Sequence, residues 1–278
     1  MLENILSLKN DFDLFVFDVY GVLWDGKKVI SGALELLEDL KKNGKKVMIM
    51  SNGTVLSHQM EESYAKRGFE KGKHCDVFVT SGEAYHAFVM RDKRALKVYQ
   101  FGRPSKDLFA GSSYVEVDTP EKADFVYAGV PQTWNGDFWQ DYLTLEPFEK
   151  ELFSLIALKK TLLCANPDKK AFEKQYAEPV VRQGSVAEFY QKNGGDVEFW
   201  GKPYGNIYDF ALRDEKVDRR RMLMVGDTLE TDILGGKNYG MKTLLLRGGI
   251  SEQNMKDCGQ SDLRAYAQAL GIVPDYIF

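Results

Sequence analysis

Nearly unbroken apolar runs alternate with amphipathic stretches along this chain. Leu14–Phe17, Val47–Met50 and Val77–Thr80 contain almost no polar residue, the pattern of strands covered on both faces rather than on one. Between the first two, Leu34, Leu37 and Leu40 recur at helical spacing while Glu35, Glu38, Asp39 and Lys41 point away. This predicts a helix over Ala33–Lys42, stopped by Asn43-Gly44. Ser57–Lys66 reads as a second helix, and Asp25-Gly26 as the turn of a small hairpin flap. The strand–helix order implies a parallel sheet with right-handed crossovers, because parallel neighbours need a long connection over one face.

The same alternation returns near the far end. Asn206–Leu212 reads as a helix, Met222–Val225 as a strand, Asp232–Asn238 as a helix and Thr243–Leu246 as a strand. Between the two halves lies a second α/β stretch, roughly Glu83 to Arg182. Its strands are expected at Val98–Phe101, Phe125–Ala128 and Thr161–Cys164, and a helix at Glu149–Leu158. The residues suited to chemistry flank this stretch and none falls inside it. We therefore expect a core made of residues 1–82 and 183–278 and a domain, 83–182, inserted into it; one continuous large sheet is the alternative.

A length of 278 residues suffices for one large domain or two modest ones, each with its own core. Net charge is −4, with Lys and Arg scattered among Asp and Glu, which gives no electrostatic reason to expect a nucleic acid or an anionic membrane as partner. No apolar run approaches the length of a membrane span. Met1 to Asp13 carries Glu3 and lacks a long apolar stretch, so no signal peptide is expected. Cys75, Cys164 and Cys258 show no C-x-x-C spacing and read as reduced thiols of a cytoplasmic protein. His58, His74 and His86 lack metal-ligand spacing and are expected at the surface.

In parallel sheets the binding crevice lies beyond the carboxyl ends of the strands. Four such ends carry polar residues here: Asp18 after the first strand, Ser51-Asn52-Gly53 after the second, Lys202 after Val197–Trp200, and Asp227 after Met222–Val225, with Asp232 following. Singly, each has a local explanation. An Asp after a strand often caps a helix, Ser-Asn suits a turn, a loop Lys is commonly solvated, and an Asp favours a helix N-terminus. Together and in this order they suit phosphoryl chemistry.

The combination resembles the haloacid dehalogenase (HAD) superfamily, whose first motif is usually D-x-D-x-[TV]. The insert between the second and third motifs matches that family's C2 cap. Asn166-Pro167-Asp168, Gly184-Ser185-Val186-Ala187, Gly201-Lys202-Pro203 and the run Gly226-Asp227-Thr228-Leu229-Glu230-Thr231-Asp232-Ile233-Leu234-Gly235-Gly236 resemble its class IIA, the NagD-like and p-nitrophenyl-phosphatase-like enzymes. The resemblance implies a doubly wound, Rossmann-like α/β core with an inserted α/β cap. It further implies a Mg²⁺-dependent phosphohydrolase acting on a small phosphorylated metabolite through an aspartyl-phosphate. Asp18 would then be the nucleophile. Ser51, Asn52, Gly53 and Lys202 would bind the phosphate. Asp18, Asp227 and the backbone carbonyl of Tyr20 would hold the Mg²⁺, with Asp232 supporting metal waters or Lys202. Whether the chain forms a homo-oligomer stays open.

One residue departs from the motif. Where the family's phosphatases place a second Asp as general acid/base, this chain has Tyr20. A phenol can donate a proton but, with an ordinary pKa near 10, is a poor base at neutral pH. Two other readings follow. Asp18-Val19-Tyr20-Gly21 is similar to the first motif of 2-haloacid dehalogenases, in which halide leaves without a proton; those enzymes, however, need no metal and carry a smaller insert elsewhere. Alternatively, the protein senses a phosphoryl compound with little turnover. In the insert, Trp134, Phe138, Trp139 and Tyr142 could stack on a ring, although packing is the commoner use of such residues. Arg103, Lys106 and Arg182 could meet anionic substrate groups, and Asn166 and Asp168 are expected to shape the junction of cap and core.

Overall fold

A computed structural model describes residues 2–173 and 175–278. The chain divides into two compact units. One is Met1–Ser51, Ser57–Val79 and Lys202–Phe278; the other is Asn52–Leu56 and Thr80–Gly201.

The first unit is organised by a six-stranded sheet. Its order is Tyr276–Ile277, Lys242–Leu245, Met222–Gly226, Leu14–Phe17, Lys46–Ser51, Val77–Thr80. Leu14–Phe17 runs parallel to Lys46–Ser51 on one side and to Met222–Gly226 on the other. Every residue of Leu14–Phe17 and Met222–Gly226 is buried, as their unbroken apolar sequence anticipates. The chain leaves the Leu14–Phe17 strand toward one edge and later returns on its other side, which makes that strand's carboxyl end the switch point where α/β sheets bind ligands. The helix Ala33–Lys42 packs through Ala33, Leu36, Leu37 and Leu40, with Leu34 only half-buried. The apolar face is therefore turned slightly from the 34–37–40 stripe read off the sequence. The expected flap is present in small form. Trp24 bridges Val29, and Asp25 Oδ1 accepts the amides of Lys27 and Lys28 to close the turn.

The second unit has its own five-stranded sheet in the order Val197–Phe199, Thr161–Cys164, Phe125–Ala128, Lys97–Phe101, Val115–Glu116, with every pair parallel. Alternate residues of its strands feed two cores. Phe101, Val126, Leu162 and Cys164 meet Leu152, Val186 and Tyr190 on one face, while Val98, Tyr127 and Leu163 meet Tyr85, Val89 and Phe109 on the other.

Two expectations need correcting. This unit ends at Gly201, not at residue 182, because Gln183–Lys192 sends Val186, Ala187 and Tyr190 into its core and Val197–Phe199 completes its sheet. It also begins at Thr80 rather than at residue 83 and takes in Asn52–Leu56. His74 is 2 % exposed rather than on the surface. Its Nδ1 accepts the Glu70 amide, and burial pulls its pKa below the ordinary imidazole range. Among the described residues, no helix is long and apolar enough to cross a membrane.

Candidate active site

Asp18 follows the last residue of its strand. Its amide still donates to Val225 O, at 2.9 Å, so the ladder runs one residue further and leaves the carboxylate at the carboxyl edge of the sheet. Lys202, 2 % exposed, reaches into this edge. Its ammonium donates to Asp18 Oδ1 at 2.5 Å, to Asp232 Oδ1 at 2.7 Å and to Met50 O at 3.3 Å. It therefore ties the ends of neighbouring strands together through charge-assisted bonds.

Asp227 sits just past Met222–Gly226 and is also buried. Oδ1 accepts from the Thr228 hydroxyl at 3.0 Å, and Oδ2 accepts the Ile250 amide at 2.8 Å, at the N-terminal end of the helix Ile250–Asp257. The spacing of the sequence predicts a helix over Asp232–Asn238. Instead, Leu229–Ile233 forms a π-turn that runs into the α-helix Leu234–Asn238. The amides of Asp232 and Ile233 both reach Thr228 O, at 3.0 and 3.2 Å. This wider turn places Asp232 so that its other oxygen, Oδ2, accepts the Thr228 amide at 3.2 Å.

Oxygens of Asp18, Asp227 and Asp232 lie within 4.8 Å of one another. Three carboxylates thus gather around one ammonium, and the surplus charge is felt. Burial, and after it the Asp18 charge, push the Asp227 carboxyl up to about 7. Burial also raises Asp232 well above the carboxylate range, against the pull of Lys202. A compact, oxygen-only, anionic donor set fits a hard divalent cation such as Mg²⁺. The neighbouring backbone is shaped around it. Gly21 has φ +76°, and a Cβ there would run into the Asp227 carboxylate; a Cβ at Gly249 would do the same. Thr228, Gly249 and Ile250 carry no signal of this role in the sequence, where Gly248-Gly249 looks like any turn.

The remaining expected residues are distributed as follows. Tyr20 is 43 % exposed, on the loop after Asp18. Ser51 ends the strand registered against Leu14–Phe17. Asn52 and Gly53 group with the second unit instead: Asn52 Nδ2 donates to Asp168 Oδ1 at 2.8 Å, its carbonyl accepts from Ser81 Oγ at 2.8 Å, and Gly53 O accepts the Gly82 amide. Arg182 does not await an anion. It is 7 % exposed and bonded to Asp141 and Glu173. Arg103 lies 5.7 Å over the Trp139 ring, and Lys106 is exposed. Trp134 and Phe138 are more than half exposed, at 55 % and 54 %, with the Trp134 ring 5.7 Å from that of Trp139, and Tyr142 meets Phe148 edge-on. His58 is exposed and His86 half-buried.

Family models and known proteins match most of this chain. The haloacid dehalogenase-like hydrolase family model matches residues 15–109, and the related HAD-hydrolase-like model matches 199–276. Phosphoglycolate phosphatase 2 of Arabidopsis thaliana is 28 % identical over 99 % of this chain and 92 % of its own length. Chronophin of Rattus norvegicus is 30 % identical over 89 % of this chain and 82 % of its own. A solved structure described as a "putative nagD protein" superposes with a TM-score of 0.66 at 26 % identity, covering 86 % of this chain and 90 % of the other.

Proposed function

Because the chain belongs to the haloacid dehalogenase-like hydrolases, in their NagD-like branch, we propose that it is a Mg²⁺-dependent phosphohydrolase of a small phosphorylated metabolite. The observation that carries this reading is the gathering of Asp18, Asp227 and Asp232 around Lys202 at the switch point of the first sheet. A carboxylate nucleophile and a phosphate repel each other, and a divalent cation held by Asp18, Asp227 and the Tyr20 carbonyl would offset that repulsion. Asp18 Oδ attacks phosphorus, forming a P–O bond as the ester P–O bond breaks. Lys202 and Ser51 receive the phosphoryl oxygens. Asp232 holds Lys202 in line. The Tyr20 phenol gives its proton to the departing oxygen. Water then attacks phosphorus, the bond to Asp18 breaks, and the water proton passes to Tyr20 or to solvent. The names of relatives such as phosphoglycolate phosphatase 2 support small phosphomonoesters as substrates. Three cysteines that form no disulfide support a cytoplasmic setting.

The test is hydrolysis of p-nitrophenyl phosphate and of a panel of sugar and organic-acid phosphates, with Mg²⁺ and with excess chelator. Activity should require the metal, and Asp18→Asn, near-identical in shape, should abolish turnover while leaving the fold intact. A metal-independent wild type that releases halide from 2-haloacids, or an Asp18→Asn variant keeping most of the rate, would sink the phosphatase reading.

A further inference from the structure

The first unit also holds a cation that the reaction above does not use. Arg67 follows the helix Ser57–Ala65, and its guanidinium lies between two rings, 4.7 Å from the centroid of Trp24 and 4.9 Å from that of Tyr64. Nη1 donates to Ser63 O and to Ser63 Oγ, each at 2.6 Å, which fixes the planar fork between the rings.

The two rings have different attachments. Tyr64 is 7 % exposed and belongs to the core cluster that contains Phe17, Val19 and Phe69, with Phe69 edge-on at 5.5 Å. Trp24 ends the loop that starts at Asp18, and that loop closes on itself. The amides of Leu23 and Trp24 reach Val19 O at 2.8 and 2.9 Å, the Gly21 amide reaches Trp24 O at 2.9 Å, and Tyr20 pairs with Trp24 as a bridge. A shift of Trp24 therefore carries Tyr20 with it. Burial pushes the Tyr64 phenol up; the charges of Tyr20 and Asp18 add to this and Arg67 opposes it, so all four groups lie within electrostatic reach.

We propose that Arg67 is a positioning residue: by clamping Trp24 onto the buried Tyr64 it fixes the Asp18–Trp24 loop and sets the Tyr20 phenol against the leaving-group oxygen. The proposal rests on the phosphatase reading and says why a half-exposed phenol can serve there. A partly exposed side chain must be held in place before it can transfer a proton in step with bond cleavage.

Arg67→Met keeps the aliphatic stem and removes the guanidinium; Arg67→Lys returns a cation. With an alkyl phosphate, Arg67→Met should lower kcat about tenfold or more, a part of what general acid help is worth, with KM little changed. With p-nitrophenyl phosphate, whose leaving group needs no proton, the loss in the first step, read as the burst of p-nitrophenolate, should be small. Arg67→Lys should recover most of the rate. In a Tyr20→Phe background Arg67→Met should cost nothing further, because both changes remove one function. Equal first-step losses on both esters, or additive losses in the cycle, overturn the clamp. A wild type inert toward both esters would instead defeat the phosphatase reading, and the clamp is then judged on protein labelled with fluorotyrosine. The Tyr20 ¹⁹F resonance, identified by its disappearance in Tyr20→Phe, should move in Arg67→Met; an unmoved resonance overturns the clamp whatever the activity.

Discussion

In the first unit, Lys202 faces Asp18, Asp227 and Asp232; in the second, Arg182 faces Asp141 and the more exposed Glu173. The first cluster is built at the end of a parallel sheet, the second beside the short antiparallel ribbons Lys170–Ala171/Val180–Val181 and Thr133–Trp134/Trp139–Gln140, and both bury their cation. Both also draw in neutral donors. In the second, Gln132 Nε2 donates to Asp141 Oδ1 at 2.7 Å, and Tyr176 donates to the Asp141 carbonyl at 3.1 Å. In the first, Thr228 and Ile250 serve Asp227. The difference lies in the charge count. The first cluster sets three carboxylates around one ammonium, two of them deeply buried, and the Asp227 and Asp232 carboxyls are pushed upward. A fold that only needed a rigid anchor would take the second arrangement, since uncompensated buried charge costs several kcal/mol per ion. The first arrangement makes sense when a further cation is to be bound. The contrast separates a nearly balanced ion pair from a cluster with a larger negative surplus, although both read in the sequence as scattered Asp, Lys and Arg.

The largest expected effect adds to the surplus. Tyr20→Asp brings another carboxylate to the site and supplies the acid/base that the family's motif usually holds. With Mg²⁺ present and a sugar phosphate as substrate, kcat should rise, toward the ~10²–10⁴-fold scale of general acid/base catalysis. With p-nitrophenyl phosphate the first step should gain less. Phosphorylated Asp18, caught by acid quench and intact-protein mass spectrometry, should be more abundant in the wild type than in the variant. A wild type already fast on sugar phosphates, and slowed by the change, would show Tyr20 to be a working acid and the site to be complete as it stands.

The strands that position these clusters are legible because a strand covered on both faces leaves a distinctive run. Phe125–Ala128, Thr161–Cys164 and Val77–Thr80 have the expected bounds. The chemistry-bearing residues are legible as strand-end residues, and Asp18, Lys202, Asp227 and Asp232 do converge. Three features are not legible. The end of the second unit is hidden because Val197–Phe199 is an edge strand only partly buried, and its neighbour Lys202 belongs to the other unit's chemistry. The π-turn at Leu229–Ile233 is an extra residue in a helical ladder, which no apolar period records. The Arg67 clamp joins residues far apart in sequence, and Arg67 alone looks like any solvated cation.

A smaller effect is expected from breaking the compensated pair. Arg182→Met leaves Asp141 buried with fewer donors, and loss of one partner of a buried pair typically costs about 3–5 kcal/mol. Urea unfolding should show this loss, and Mg²⁺ should not restore it, because Asp141 and the more exposed Glu173 lack the third carboxylate that completes the first cluster's oxygen donor set. Equal rescue of Arg182→Met and wild type by Mg²⁺ would leave the comparison intact; a rescue larger in the variant would break it.

The smallest effect tests the surplus directly through pH. The folded pKa of Asp227, about 7, is raised above its ordinary value of 3.8. The stability it contributes as a neutral acid is therefore fully present below about pH 4 and is lost as pH rises through about 7. Asp232, also raised, acts in the same sense. His74 acts oppositely, since its folded pKa lies below its ordinary value and it favours the fold as pH rises toward 6.5. Wild type minus Asp227→Asn cancels His74, and that difference in unfolding free energy, measured in chelator, should fall between pH 4 and 7 and level off above. At about 1.4 kcal/mol per unit of pKa shift the fall cannot exceed roughly 4 kcal/mol, and shared titration with Asp232 will keep it lower. Mg²⁺ should reverse the trend, stabilising the wild type most above pH 7 and progressively less below, where protons compete for the same oxygens. A flat difference curve in chelator would mean that Lys202 alone balances the three carboxylates, and that the first cluster, like the second, is an anchor.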